Sequence, residues 1–417
     1  MQTLKKALTA ISLMTRILIE FNIPFNFLKT FFFFNYISFI QLTSKAITKS
    51  SNMSMPAKVD YPPSPPPPKT PSFQKEDEEE NPVGDPVPPT PTKTEIHEIQ
   101  TSDVILATAG YDDTIKLWEA HTGKLLRTLN HPCNYVTALE ISPDGGLLVA
   151  GGHQCIKIYH TNNTNDVLLE YPKLKKNVMD VGFHEEGKWM YIAGEDGTIQ
   201  IWDIRALDNV RYPLLHTIKA PATTVQLHPN QQELIIGDAL GNVHIWNLRA
   251  DKSETFTPAT ESVINDISVN PSGTHLAFVN NTGNCFVIPL KEAPKESKNP
   301  IRTGICDDEK TEIQAHKKYA LRCKFSPDGK ILATTSADQT SKLWNTDDYS
   351  LKKELKVDNQ RWVWDLAFSL DSQYLFTASS DNLARLWSLE KGKVVREYTG
   401  HQNALTCLAF RDVKAES

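Results

Sequence analysis

The 417-residue chain carries a formal net charge of −6 with 23% charged residues, an ordinary balance that lacks the basic excess needed to bind a phosphate backbone. Nucleic acid is therefore a poor partner. Six cysteines, Cys133, Cys155, Cys285, Cys306, Cys323 and Cys407, are scattered with no C-x-x-C pair, so the sequence suggests neither a zinc site nor a disulfide framework, and reduced, cytosolic thiols are expected.

Residues 1–50 place Lys5, Lys6 and Arg16 ahead of the first acid, Glu20, and then run into "FFFFNYISFI". Early basic and hydroxyl residues with few acids suit a targeting segment. The uncharged stretch between Lys29 and Lys45 is too short to span a bilayer as a helix by itself, which weighs against an anchor. Translation from an upstream start, with the true start at Met53 or Met55, is the third reading, and membrane contact depends on which of these holds. Residues 51–102 follow with "PPSPPPP" and "KEDEEE"; half of the 26 prolines lie between residues 56 and 91. Such a stretch cannot bury enough apolar surface to offset its ordering entropy, so a disordered or polyproline linker is expected.

From residue 103 to 412 one phrase returns, a few alternating residues closed by an aromatic: "TIKLW", "CIKIY", "TIQIW", "NVHIW", "NCFVI", "TSKLW" and "LARLW", ending at Trp118, Tyr159, Trp202, Trp246, Ile288, Trp344 and Trp387. The period is about 43 residues with one insertion, over residues 291–310. Between them, "SPDG", "HEEG", "HPNQ", "NPSG", "SPDG" and "SLDS" begin at 142, 184, 228, 270, 326 and 369, and their Pro, Asp and Gly residues form turns between two strands. Each unit reads as four strands. Seven closing phrases against six turns leave the first unit, "VILATAG", without its innermost strand, while "NALTCLAF" ends the repeat region as a strand with no following partner. Pairing the two closes a ring without an open sheet edge. Only a polar tail, 413–417, lies beyond.

These phrases resemble the WD40 β-propellers, and the expected fold is all-β and seven-bladed. The family pattern is clearest in the sixth unit, as His316, Ser336, Asp338 and Trp344, and recurs as Asp112, Trp118 and His401 in the first; the third and seventh contribute Asp196 with Trp202 and Asp381 with Trp387. A His between an Asp and a hydroxyl could be taken for a catalytic triad. Its recurrence favours a structural role instead, satisfying buried donors and acceptors. Asp238 lies two places early relative to Trp246 and receives no such role. No phosphate-binding loop and no H-E-x-x-H occurs, so no enzyme, cofactor or small-molecule substrate is expected.

"HEEGKWMYIAGEDGTIQIWDIR", "HPNQQELIIGDALGNVHIWNLR", "NNTGNC", "SSDNLARLW" and "REYTGHQNALTCLAF" resemble one member class more closely, the small propeller subunit of target-of-rapamycin kinase complexes. Seven residues before each turn phrase lies the start of an innermost strand, at one mouth of the channel: Tyr135, Asn177, Pro221, Val263, Tyr319, Trp362 and Ala404. Trp362 and Trp364, with Arg361, Tyr135, Tyr319 and Asn177, are the candidate partner-binding residues, because Trp, Tyr and Arg dominate interface hot spots; the alternative for Trp364 is a wedge filler between blades. The resemblance implies that this mouth grips the C-terminal lobe of the kinase domain, stabilising a competent kinase and narrowing access to its cleft, in the cytoplasm or at endomembranes through the complex. A propeller adaptor of another class, a ubiquitin-ligase substrate receptor or a trafficking scaffold, is the alternative, since fold alone does not name a partner.

Overall fold

Short runs rich in Val, Ile, Leu and Thr, punctuated by turn residues, can bury their backbone polar groups only by pairing with one another. In the computed structural model they do so as seven antiparallel sheets, six of four strands and one of five. The structure describes residues 104–412 apart from 134, 163–166, 172–173, 206–213, 259–261 and 293–302; the extension, the proline-rich linker, the polar tail and half of the 291–310 insertion lie outside the described residues. No described helix is long and apolar enough to cross a membrane.

The repeated turn works through backbone geometry. Its fourth residue adopts the left-handed conformation in every unit that has one: Gly145, Gly187, Gly273 and Gly329 at φ 74°, 65°, 71° and 72°, with Gln231 and Ser372 forced to 58° and 57° in the fourth and seventh blades. Glycine adopts this conformation without strain, which is why four of the six turns carry it.

Ring closure is as expected. β1 (Val104–Gly110) pairs antiparallel with β29 (Leu405–Asp412), from Val104 opposite Asp412 to Gly110 opposite Leu405. Both sequence ends of the propeller thus share blade 1. Gly110 is needed there because a Cβ at that position would run into the Ala404 carbonyl.

The apolar core lies in the wedges between blades. Seven clusters of buried side chains each bridge two neighbouring blades. Cys407 and Ala409 of β29 enter the wedge towards blade 2, and Leu405 and Leu408 the wedge towards blade 7. The described part of the insertion adds a strand: Thr303–Ile305 pairs with the extended third strand of blade 5, Cys285–Glu292, beside Thr311–Ile313. The buried Thr303 hydroxyl donates to the Glu233 carboxylate at 2.5 Å, joining this segment to blade 4.

The expectation of six free thiols needs correction. Cys133 and Cys155, 22 residues apart, are joined as a disulfide, while Cys285, Cys306, Cys323 and Cys407 are free. Sequence spacing hid the pair because it is the hairpin of blade 2, not a local motif, that brings the two segments together.

Candidate partner-binding mouth and its supporting network

The seven residues counted back from the turns occupy equivalent places. Each offers its backbone carbonyl to the turn between the second and third strands: Tyr135 to the N–H of His153, Asn177 to Glu195, Pro221 to Ala239, Val263 to Asn281, Tyr319 to Ala337, Trp362 to Ser380 and Ala404 to Tyr111, at 2.9–3.4 Å. With the carbonyls fixed, the side chains are presented around one mouth of the ring. Tyr135, Asn177, Tyr319 and Trp362 are half-buried and Arg361 is exposed.

One aromatic pair and one group of three rings stand out. Trp362 and Trp364 lie with ring centroids 5.6 Å apart, and Tyr135 sits 5.6 Å from Tyr111 and 5.7 Å from His153. Trp364 does not fill an inter-blade wedge. It is the extra residue of a β-bulge between Val363 and Asp365, remains half-exposed, and donates its indole N–H to the Ser380 hydroxyl at 2.9 Å. Bulges re-aim side chains in this way. In blades 1, 2 and 5 the bulge residue is instead a small polar bridge to the next blade: Thr406 donates to the Val136 carbonyl, Thr137 to Val178 and Asn265 to Ala320. Asn177 is partly committed within the protein, its Oδ1 accepting from His153 Nδ1 at 2.9 Å and its Nδ2 donating to Glu195 at 2.7 Å. Tyr111 was missed in the sequence because the turn count reaches Ala404 for that blade, whose inner strand comes from the other end of the chain.

Behind the mouth the inner strands line a cavity of about 200 Å³ that contains Glu140, Asp180, Asp266, Asp365, Arg322 and Lys324. An inner strand has a ladder partner on one side only, so the N–H groups on its other side need acceptors. Aspartates supply them across blades: Asp180 accepts from Val225 N–H, Asp266 from Cys323 and Asp365 from Leu408, each at 2.9 Å. Arg322 bridges Asp266 at 3.2 Å and Asp365 at 3.6 Å. Burial, then the nearby Asp180 and Asp365 against Lys324 and Arg411, pushes Glu140 up to about 7, and burial pushes Asp266 up to about 6 despite Arg322.

Glu140 therefore keeps its proton in the fold to a higher pH than in the unfolded chain, and the stability this gives is lost as pH rises from about 4.5 towards 7. Glu140→Gln is expected to raise stability by about 1–2 kcal/mol at about pH 8, a figure discounted because the side chain is partly exposed, and to change it little at about pH 5. Thermal melts of both proteins at the two pH values check this.

The supporting network is built as expected in two blades, with one substitution of partner. His316 contacts Asp338 through Nδ1 at 3.0 Å and the Thr334 hydroxyl through Nε2 at 2.9 Å, and the Trp344 indole donates to the same hydroxyl at 3.0 Å. Thr334 takes the place expected of Ser336 because Trp344 lies opposite Leu332, two residues from Thr334 and four from Ser336. Ser336 instead accepts the Asp338 N–H. In blade 1, His401 contacts Asp112 and Thr108 at 2.8 Å each, and Trp118 donates to Thr108 at 2.7 Å. Burial opposes ionisation of both aspartates, yet the histidine contacts and neighbouring donors outweigh it, holding Asp112 at about 2 and Asp338 well below the usual carboxylate range.

Elsewhere the expected members are not joined. Asp196 is exposed and holds only its own turn through Thr198, and the Trp202 indole donates to Gln200, because Leu174 stands where the histidine would be. Asp381 pairs with Arg385 at 2.7 Å, while Trp387 donates to Thr377 at 2.9 Å. Asp238, left without a role in the sequence, is buried and contacts His244 at 2.9 Å.

Comparison with known proteins agrees with this architecture. Residues 123–160, 170–203, 308–345 and 350–388 match the family described as WD domain, G-beta repeat. The chain is 47% identical over 327 residues to the mouse "Target of rapamycin complex subunit LST8", covering 75% of this chain and 97% of that protein. The chain belongs to the LST8 family. Its relatives in that family include the LST8 subunit of Saccharomyces cerevisiae, 40% identical over 74% of this chain and 99% of its own length, and LST8-1 of Arabidopsis thaliana, 42% identical over 62% and 82%. The aligned length matches the propeller, and LST8 membership agrees with the likeness noted in "SSDNLARLW" and the phrases around it.

Proposed function

We propose that the chain is a non-catalytic scaffold subunit of target-of-rapamycin kinase complexes that uses its aromatic mouth to grip the C-terminal lobe of the kinase domain, stabilising a competent kinase and supporting growth and nutrient signalling. The observation that carries this reading is the half-exposed Trp362–Trp364 pair, held at the mouth by a bulge and by the Ser380 contacts, in a chain that aligns with nearly the whole length of LST8 subunits. Half-exposed Trp beside Arg is the composition that concentrates binding energy. The polar network and the aspartates of the channel are committed to holding blades together, which suits a rigid adaptor and leaves chemistry to the partner. We place it in the cytoplasm, at endomembranes where the complex resides.

The test is affinity purification of the tagged full-length protein from its own cells, with Trp362→Ala and Trp364→Ala alongside. A very large kinase of the phosphatidylinositol-kinase-like class should be recovered in near-equal amount. Each variant is expected to weaken that association by about 2 kcal/mol, roughly thirtyfold, while its melting curve stays cooperative. Recovery of cullin adaptors or coat proteins in place of the kinase would sink the proposal.

A further inference from the structure

Blade 2 departs from the hydrogen-bond network of blades 1 and 6 in a chemically specific way. By strand register His153 matches Ala337 and Gln154 stands where blade 6 has Asp338; His153 turns to Asn177 at 2.9 Å, and among the described residues buried His131 has no carboxylate partner. Its Nδ1 meets the Tyr159 hydroxyl at 2.9 Å, which directs Nε2 to Cys155 Sγ at 3.8 Å. Cys155 occupies the place of Thr340, just ahead of the third strand. Cys133 lies two residues beyond His131, so one imidazole nitrogen and two sulfurs all fall within 4.8 Å of one another. Oxygen acceptors have been exchanged for soft donors.

We propose that the reduced form of this site binds a single zinc ion through His131 Nε2, Cys133 Sγ and Cys155 Sγ. Two thiolates and one imidazole are a recurrent zinc donor set, with a fourth position left for water. Second-shell support is present, because the other ring nitrogen of a metal-bound histidine is normally held by a hydrogen bond, as Tyr159 holds Nδ1 here. His131 and Cys155 are buried, whereas Cys133 is partly exposed and leaves a way in. The Cα atoms of the two cysteines stand 6.7 Å apart, at the wide end of the roughly 4.4–6.8 Å that a disulfide spans, a spacing that leaves room for an ion between the sulfurs after reduction.

The disulfide and the metal site are alternative states of the same atoms. Reduction by a phosphine supplies two electrons, and two protons are taken up to give the dithiol; zinc then displaces both thiol protons and accepts the Nε2 lone pair. The site adjoins the mouth, since the Cys133 carbonyl accepts the Tyr135 N–H at 2.8 Å.

The full-length protein, reduced with a phosphine, freed of metal by chelation and kept anaerobic, should be titrated with zinc against a chromophoric chelator, and separately with cobalt as a spectroscopic probe. One equivalent of zinc per chain and a thiolate-to-cobalt charge-transfer band are expected, together with a rise in melting temperature on zinc addition. All three should be lost in Cys133→Ser, which alters a partly exposed side chain and leaves the fold in place, and in Cys155→Ser. Zinc uptake by Cys133→Ser equal to that of the unaltered chain would overturn the proposal. So would recovery of Cys133 and Cys155 as a disulfide after phosphine treatment.

Discussion

Deleting residues 400–417 is expected to abolish cooperative folding rather than to trim the protein. The deletion removes β29, and with it the ladder from Val104 to Gly110. Two of the seven inter-blade wedges lose buried side chains at once, Cys407 and Ala409 on one side and Leu405 and Leu408 on the other. Each of the two leucines contributes about 1.5–3 kcal/mol of burial. Also lost are the His401 contacts with Asp112 and Thr108 and the Leu408 N–H that satisfies buried Asp365. The sum is comparable with the whole stability of a typical domain, about 5–15 kcal/mol. What remains would expose the long edge of β1, an invitation to aggregation. The measurement is a thermal melt with parallel light scattering on residues 104–412 and on the same chain ended at 399. A permutant separates strand pairing from chain end: residues 400–412 are moved ahead of Val104 through a turn of about two residues, which suits Asp412 and Val104 facing each other. It should melt cooperatively near the parent; a permutant as unstable as the deletion would show that β29 acts otherwise than by closing the ring.

His316→Ala is expected to cost about 3 kcal/mol. The side chain is buried and stands between the Asp338 carboxylate and the Thr334 hydroxyl, which also receives the Trp344 indole. Removing it leaves two buried polar groups short of a partner, at about 1–3 kcal/mol each. The pH dependence gives a second readout. Because Asp338 is held below its ordinary range, the pair's contribution is fully present above the unfolded carboxyl value near 4 and disappears as pH falls through the lower folded value. The stability difference between parent and variant, measured by denaturant unfolding, should therefore be largest at neutral pH and shrink below about pH 4. A gap that stayed constant down to pH 2 would assign the cost to lost packing rather than to the contact with the Asp338 carboxylate.

Most of the architecture was legible because β-structure writes its period into the chain. Alternation marked the strands, turn residues marked their joints, and the mismatch of seven closing phrases to six turns revealed that Leu405–Asp412 must pair with Val104–Gly110. The mouth residues were reachable by counting, since all but Ala404 lie a fixed distance before a turn, and the carbonyl contacts shared by all seven reflect that regular spacing. Counting could not decide where side chains point. Thr334 rather than Ser336 receives Trp344 because cross-strand register places it within reach. Trp364 is turned out by a bulge that no composition rule predicts. Asp196 never joins Trp202 because a leucine replaces the histidine that would link them. The gathering of His131, Cys133 and Cys155, and the channel aspartates that cap the next blade, depend on contacts between segments distant in the chain. Local pattern specifies each strand and turn, whereas the partners of a buried polar atom are set by which segments the closed ring brings within about 3 Å of it.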